Sequence, residues 1–196
     1  MNLLETIPPA KRRFLEQTGA LLQGHFRLSS GLHSQYYFQC ARLLQYPDIT
    51  HEIAGQLAEP FSKDRIDVVI SPAIGAIVLG FEAAKILRCR SLFTERVENK
   101  MALRRGFVLQ PGEKVLIAED VTTTGGSVVE IAKLVKETRG EVKGFCAIVD
   151  RSGGTFSPVE PFVSWIELPI ETYPPEACPL CKNSIPIIYP GSRKST

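Results

Sequence analysis

Apolar and polar positions repeat along this chain with two different periods, and the switch between them predicts the architecture. Residues 9–23 read as a helix with Phe14, Leu15, Leu21 and Leu22 on its apolar side. Residues 24–38 read as a strand, a turn and a second, aromatic strand. A helix is predicted from Pro47 to about Ser62, with Asp48 as its N-cap. From there the rhythm is regular. Strands are predicted over 66–71, 91–95, 106–109, 115–120 and 142–150, with helices over 75–87 and 127–139. A turn at 110–113 closes the 106–109 strand, and 162–168 predicts a last one. Short apolar strands alternating with helices of ten or more residues indicate βαβ units and a mostly parallel, twisted α/β sheet. Ligands of such sheets bind beyond the C-terminal ends of the strands.

One such end carries unusual chemistry. The apolar run Val115 to Ala118 stops at two adjacent carboxylates, Glu119 and Asp120. Val121 and the loop Thr122-Thr123-Thr124-Gly125-Gly126-Ser127 follow directly, and then a helix begins. Glycines allow close backbone approach, and a helix start offers unpaired N–H groups that suit a phosphate. Carboxylates repel a phosphate but accept hydrogen bonds from vicinal sugar hydroxyls. A ligand with both groups in this order is a ribose 5-phosphate. No Gly-x-x-x-x-Gly-Lys-Ser/Thr occurs, and Gly75 to Gly80 lacks dinucleotide-fingerprint spacing, so two familiar phosphate loops are excluded.

Composition narrows the field further. The 196 residues are 44% hydrophobic and 22% charged, as in an ordinary soluble domain, and the net charge of +2 gives no case for nucleic acid or membrane. No basic segment followed by an apolar run opens the chain, and no apolar stretch nears the ~20 residues that span a bilayer, so the cytoplasm is expected. Five cysteines, an odd number with Cys40, Cys89 and Cys146 scattered through apparent core elements, argue against a disulfide framework. Cys178-Pro-Leu-Cys181 is a single CxxC with no histidine beside it in sequence. It reads as a tight turn in a C-terminal flap, or as half a metal site completed elsewhere.

The segment from Glu119 to Ser127 resembles the phosphoribosyl-diphosphate motif of the type I phosphoribosyltransferases, and the order of other segments narrows the likeness to the orotate phosphoribosyltransferases. Residues 24–38 resemble their N-terminal hood, Asp150-Arg151-Ser-Gly-Gly154 their orotate-binding turn, and Arg96 to Gly106 their mobile catalytic loop. The CxxC and the ending Pro190-Gly-Ser-Arg193 are similar to endings of one bacterial subgroup, so the likeness runs from about residue 12 to 193. It implies a single domain with a core of about 46–155 and a small hood from about 1–45 plus the C-terminal segment. It also implies transfer of phosphoribosyl from phosphoribosyl diphosphate to orotate, in pyrimidine synthesis.

By the same resemblance, Thr122, Thr123, Thr124, Gly125, Gly126 and Ser127 grip the 5-phosphate, with Val121 at the loop's start. Glu119 and Asp120 face the ribose, and Asp120 stabilises the oxocarbenium-like carbon. Arg96 and the catalytic Lys100 belong to a lid over the diphosphate, shared across a homodimer. Arg151, Thr123, Tyr37 and Phe38 contact orotate, although Arg151 could instead pair with Asp150, and Tyr37 and Phe38 fit a plain core equally well. Mg²⁺ is expected to bind through the substrate's diphosphate and ribose, with no dedicated protein cluster. The chain departs from the better-known enzymes, which carry lysines where Ser29, Gly75 and Val97 stand and a histidine at Ala102. The diphosphate would then be held with fewer cations, helped by Arg104 or Arg105 and by backbone amides. Two rivals remain open: a purine or uracil transferase of the same fold, and a non-catalytic sensor of phosphoribosyl diphosphate.

Overall fold

The computed structural model describes residues 3–28 and 30–190; Ser29 and the 191–193 part of the ending discussed above lie outside them. The chain divides into two compact units, Met1–Leu43 with Pro169–Thr196, and Leu44–Leu168.

The first unit opens with α1 (Pro9–Thr18), β1 (Leu21–Arg27) and β2 (His33–Phe38). The expected helix to residue 23 stops at Gly19, which adopts φ 62° and caps the Leu15 carbonyl at 2.8 Å. A left-handed C-cap glycine ends a helix whatever apolar residues follow. Leu21 and Leu22 therefore start β1 and pair with Phe38 and Tyr37. The register slips between Gln23 and Phe26, a bulge at Gly24 and His25. A bulge re-aims the side chains around it.

After α2 (Ala41–Leu44), the second unit begins with α3 (Pro47–Ala58). Its N-cap is Tyr46 rather than Asp48, which sits in the first turn beside the helix's positive end. Next come β3 (Val68–Pro72), α4 (Ile77–Leu87), β4 (Arg90–Val97), β5 (Lys100–Leu103), β6 (Lys114–Thr122), α5 (Gly126–Glu137), β7 (Glu141–Asp150) and β8 (Phe162–Glu167). The sheet order is β5-β4-β3-β6-β7-β8, parallel except for β5. This is the expected α/β sheet.

The exception corrects the sequence reading. Residues 106–109 form no strand; the strand is Lys100–Leu103, folded back on β4 with Val97 opposite Lys100. Glu98 and Asn99, at φ 47° and 63°, make the two-residue turn. That is the type I′ geometry that suits hairpin twist, built here without a glycine. Leu109 is buried in the core by a loop, which explains its strand-like apolar signal.

Val68, Ile70, Val115, Ile117, Val142 and Phe145 pack against Val128, Ile131 and Val135 of α5, burying one sheet face. On the opposite face α4 comes so close that a Cβ at Gly80 would lie 2.6 Å from the Ser71 Oγ. The chain then returns to the first unit through β9 (Thr172–Tyr173), which pairs with β2, and ends its described part beyond α6 (Pro179–Lys182). No helix among the described residues is long and apolar enough to cross a membrane.

Candidate active site

The strand end of β6 and the loop to α5 enclose a cleft of ≈ 210 Å³. Arg96, Glu119, Val121, Thr122, Thr123, Thr124, Gly125, Gly126 and Ser127 all line it, joined by Val128 and Glu130 of α5. Nine of the residues singled out in sequence are thus brought together. Gly125 shapes the loop. Its φ is 73°, and a Cβ there would meet the Phe156 ring at 2.1 Å. Phe156 is fixed between Phe145 and Phe162, ring centroids 5.6 and 5.0 Å away. An aromatic stack thus presses the glycine into the left-handed cap that starts α5, turning the helix's first N–H groups toward the cleft. The Thr122 Oγ1 is buried with no hydrogen-bond partner, an unspent polar group inside the loop.

The two acids diverge. Glu119 follows Val115 and Ile117 in strand alternation, so it shares their face with α5 and lines the cleft. Asp120 points the other way: a Cβ added at Gly75 would fall 2.1 Å from its Oδ2. The glycine standing at the family's lysine position therefore leaves space that the acid fills. The Glu119 Oε1 accepts the Asp120 N–H at 3.1 Å, and the Asp120 Oδ1 accepts the Val121 N–H at 2.8 Å. Glu119 is buried, and that burial, then the charge of Asp120 and the hydrogen bond between the two carboxyls, push its pKa well above the ordinary 4.5.

Arg151 stands on the neighbouring strand end. Its N–H donates to the Thr122 carbonyl at 2.8 Å, so β7 delivers it beside the threonine loop. The Asp150 Oδ1 accepts the Ser152 N–H at 2.7 Å and closes the turn that Gly153 and Gly154 complete at φ 59° and 85°.

The loop carrying Arg96 and Lys100 is the β4–β5 hairpin, and α5 holds it. Glu130 takes the Arg96 guanidinium at 3.2 Å and the Met101 N–H at 3.0 Å. Sequence reading missed Glu130, which is one more exposed-looking acid on a helix until the hairpin is seen. Arg105 is engaged bidentately by Glu95 at 3.1 and 2.9 Å. Lys100 is exposed opposite Val97 and is not part of the cleft lining. Tyr37 and Phe38 belong to the other unit; Phe38 is buried, and the Tyr37 ring lies 5.7 Å from that of Phe26.

The phosphoribosyl transferase domain matches residues 40–176. A protein of Caldicellulosiruptor bescii named orotate phosphoribosyltransferase is 54% identical over 182 residues, 93% of this chain and 96% of that one. The chain belongs to the orotate phosphoribosyltransferases. The structure of the orotate phosphoribosyltransferase of Aeropyrum pernix superposes with a TM-score of 0.64 at 25% identity, over 80% of this chain and 93% of that one. An adenine phosphoribosyltransferase from Thermoanaerobacter pseudethanolicus superposes equally well, 0.64, at 16% identity over 78% of this chain and 99% of that one. The fold is therefore common to transferases of different bases, and the choice of base lies in side chains.

Proposed function

We propose that this orotate phosphoribosyltransferase joins the phosphoribosyl group of phosphoribosyl diphosphate to N1 of orotate, releasing diphosphate and forming orotidine 5′-phosphate. One observation carries the reading: Arg151 is hydrogen-bonded through its backbone to Thr122, which puts a guanidinium-bearing residue beside the 5-phosphate loop. A planar fork matches the carboxylate and imide of orotate, whereas a neutral purine or uracil gains little from it.

The loop amides and hydroxyls of Thr122 to Ser127 bind the 5-phosphate at the start of α5. Asp120 and Glu119 accept hydrogen bonds from the ribose hydroxyls. As the bond from C1 to diphosphate stretches, positive charge grows on the ring, and a carboxylate held beside it lowers the barrier. Arg96 and Lys100 approach the diphosphate from the hairpin, which requires Arg96 to leave Glu130. The hairpin's closure excludes water from a reactive carbon.

Mg²⁺ fits this donor set. The end of β6 offers two carboxylates and no soft ligand, the oxygen chemistry that suits a hard cation held mainly by substrate. When bound, the ion neutralises the leaving diphosphate. The protein works as a homodimer in the cytoplasm. Ile74, Val78 and Phe81 form an exposed apolar strip that suits a second copy. Orotate consumption with phosphoribosyl diphosphate, with and without magnesium, tests the proposal. Turnover of orotate, and not of adenine, hypoxanthine or uracil, is expected. Turnover of another base without orotate would overturn it.

A further inference from the structure

The CxxC has partners after all. His25 and His33, from β1 and β2, meet Cys178 and Cys181 with one ligand atom of each residue within 4.8 Å of all the others. All four residues belong to one compact unit. The Cys178 and Cys181 Sγ atoms lie 3.6 and 3.7 Å from His25 Nε2. The Cys181 Sγ lies 3.2 Å from His33 Nδ1, and the two ring nitrogens are 2.9 Å apart. Around a tetrahedral zinc, with Zn–S near 2.3 Å and Zn–N near 2.05 Å, such ligand atoms are separated by about 3.3–3.8 Å, so both sulfur–His25 distances match and the two shorter distances to His33 open by a few tenths of an ångström when the ion binds.

The surroundings are built for ligation. His25 and Cys178 are fully buried and His33 nearly so. The His25 Nδ1 is 2.7 Å from the Ile185 carbonyl. Its proton is therefore placed on Nδ1, and Nε2 presents a lone pair to the cluster. Metal-binding histidines carry this same outward hydrogen bond, which fixes tautomer and ring orientation. His25 lies two residues before Arg27, the partner of His33, so strand alternation puts both histidines on one face of the β1–β2 pair. Cys178 caps α6 and Cys181 lies inside it, which gathers both sulfurs on one side of the turn.

We propose that His25, His33, Cys178 and Cys181 bind one Zn²⁺ that fastens the C-terminal segment to the β1–β2 hairpin. Two imidazoles and two thiolates in tetrahedral array select zinc over magnesium or calcium. Four protein ligands leave no open position, so the ion is structural. The attachment it reinforces is otherwise slight: β9 pairs with β2 over two residues, and Ile188 exchanges backbone hydrogen bonds with His25 and Arg27. Small units with little core commonly depend on such a clasp.

The test is the metal content of the intact protein, purified without chelators and measured by mass spectrometry. About one zinc per chain is expected, falling at least tenfold in a Cys178→Ser/Cys181→Ser variant. Cobalt substitution of the unmutated protein makes the result independent of how the variant folds. Intense visible bands of tetrahedral cobalt with thiolate-to-cobalt charge transfer are expected. A wild-type protein that holds no zinc when supplied with it, an octahedral cobalt spectrum, or a Cys178–Cys181 disulfide in place of metal would each overturn the proposal.

Discussion

Replacing Gly75 by alanine isolates the positioning of Asp120 from the stability of the fold. The backbone at Gly75 has no left-handed φ, so alanine costs nothing there in conformation. Its Cβ would stand 2.1 Å from the Asp120 Oδ2 and 2.9 Å from the Cγ. An ordinary contact begins at 3.4 Å, so the carboxylate oxygen must retreat by about 1.3 Å. Displacement of a reacting group by ~1 Å costs on the order of 10²-fold in rate, or about 2.7 kcal/mol of transition-state stabilisation. The variant loses chain entropy only in its unfolded state, which stabilises it by ~0.4–1 kcal/mol unless the acid's own hydrogen bond to Val121 suffers. The expected signature is a melting temperature within a few degrees of wild type, with kcat/KM for orotate reduced about 100-fold. Steady-state kinetics and calorimetry on the same preparation give both numbers. A Gly75→Ala enzyme within twofold of wild type would refute the claim that the Asp120 carboxylate acts from the position it occupies here.

Three further outcomes are expected. Glu119 has a raised pKa, so its contribution to ligand-free stability is complete below the ordinary glutamate value and is lost as pH rises through the raised one. Glu119→Gln should therefore melt higher than wild type near neutral pH, by about 1 kcal/mol or 2–4 °C, with the gap closing in acid; calorimetry across pH would expose a gap of the opposite trend. Glu130→Gln keeps an acceptor for the Met101 N–H but removes the charge that holds Arg96, so cleavage by a protease at Glu98–Asn99 should accelerate and the KM for phosphoribosyl diphosphate should change more than that for orotate. Arg151→Lys loses the fork but not the charge and should raise the KM for orotate about tenfold, as a loss of ~1.4 kcal/mol requires, leaving the phosphoribosyl diphosphate KM alone; equal effects on both substrates would count against the assignment.

How much of this could be read from sequence depended on whether the signal was local. Val115 to Ser127 announced itself because strand, acids, loop and helix are contiguous, and the structure gathers Glu119 and the loop from Val121 to Ser127 around one cleft while Asp120 turns toward Gly75. The β4–β5 hairpin escaped notice because its turn is Glu98-Asn99 rather than a glycine pair, and because the apolar Leu109 imitated a strand from within a loop. Asp48 was read as a cap because aspartate favours that position, yet proline at the first helical position moves the cap back to Tyr46. The role of Gly75 was invisible for another reason: what it accommodates is a side chain forty-five positions away, on β6. The histidines were missed on distance alone. His25 and His33 lie about 150 residues before the CxxC, and the pairing of β2 with β9 and of Ile188 with His25 closes that interval in space.

The central claim is that the carboxylates ending β6 and the amides of the following loop grasp opposite ends of one sugar phosphate. A crystal structure with ribose 5-phosphate tests it most directly. The account predicts the phosphate against the N–H groups of Thr123 to Ser127 and the sugar hydroxyls on Asp120 and Glu119. A sugar phosphate bound in the reverse orientation, or outside this cleft, would contradict it.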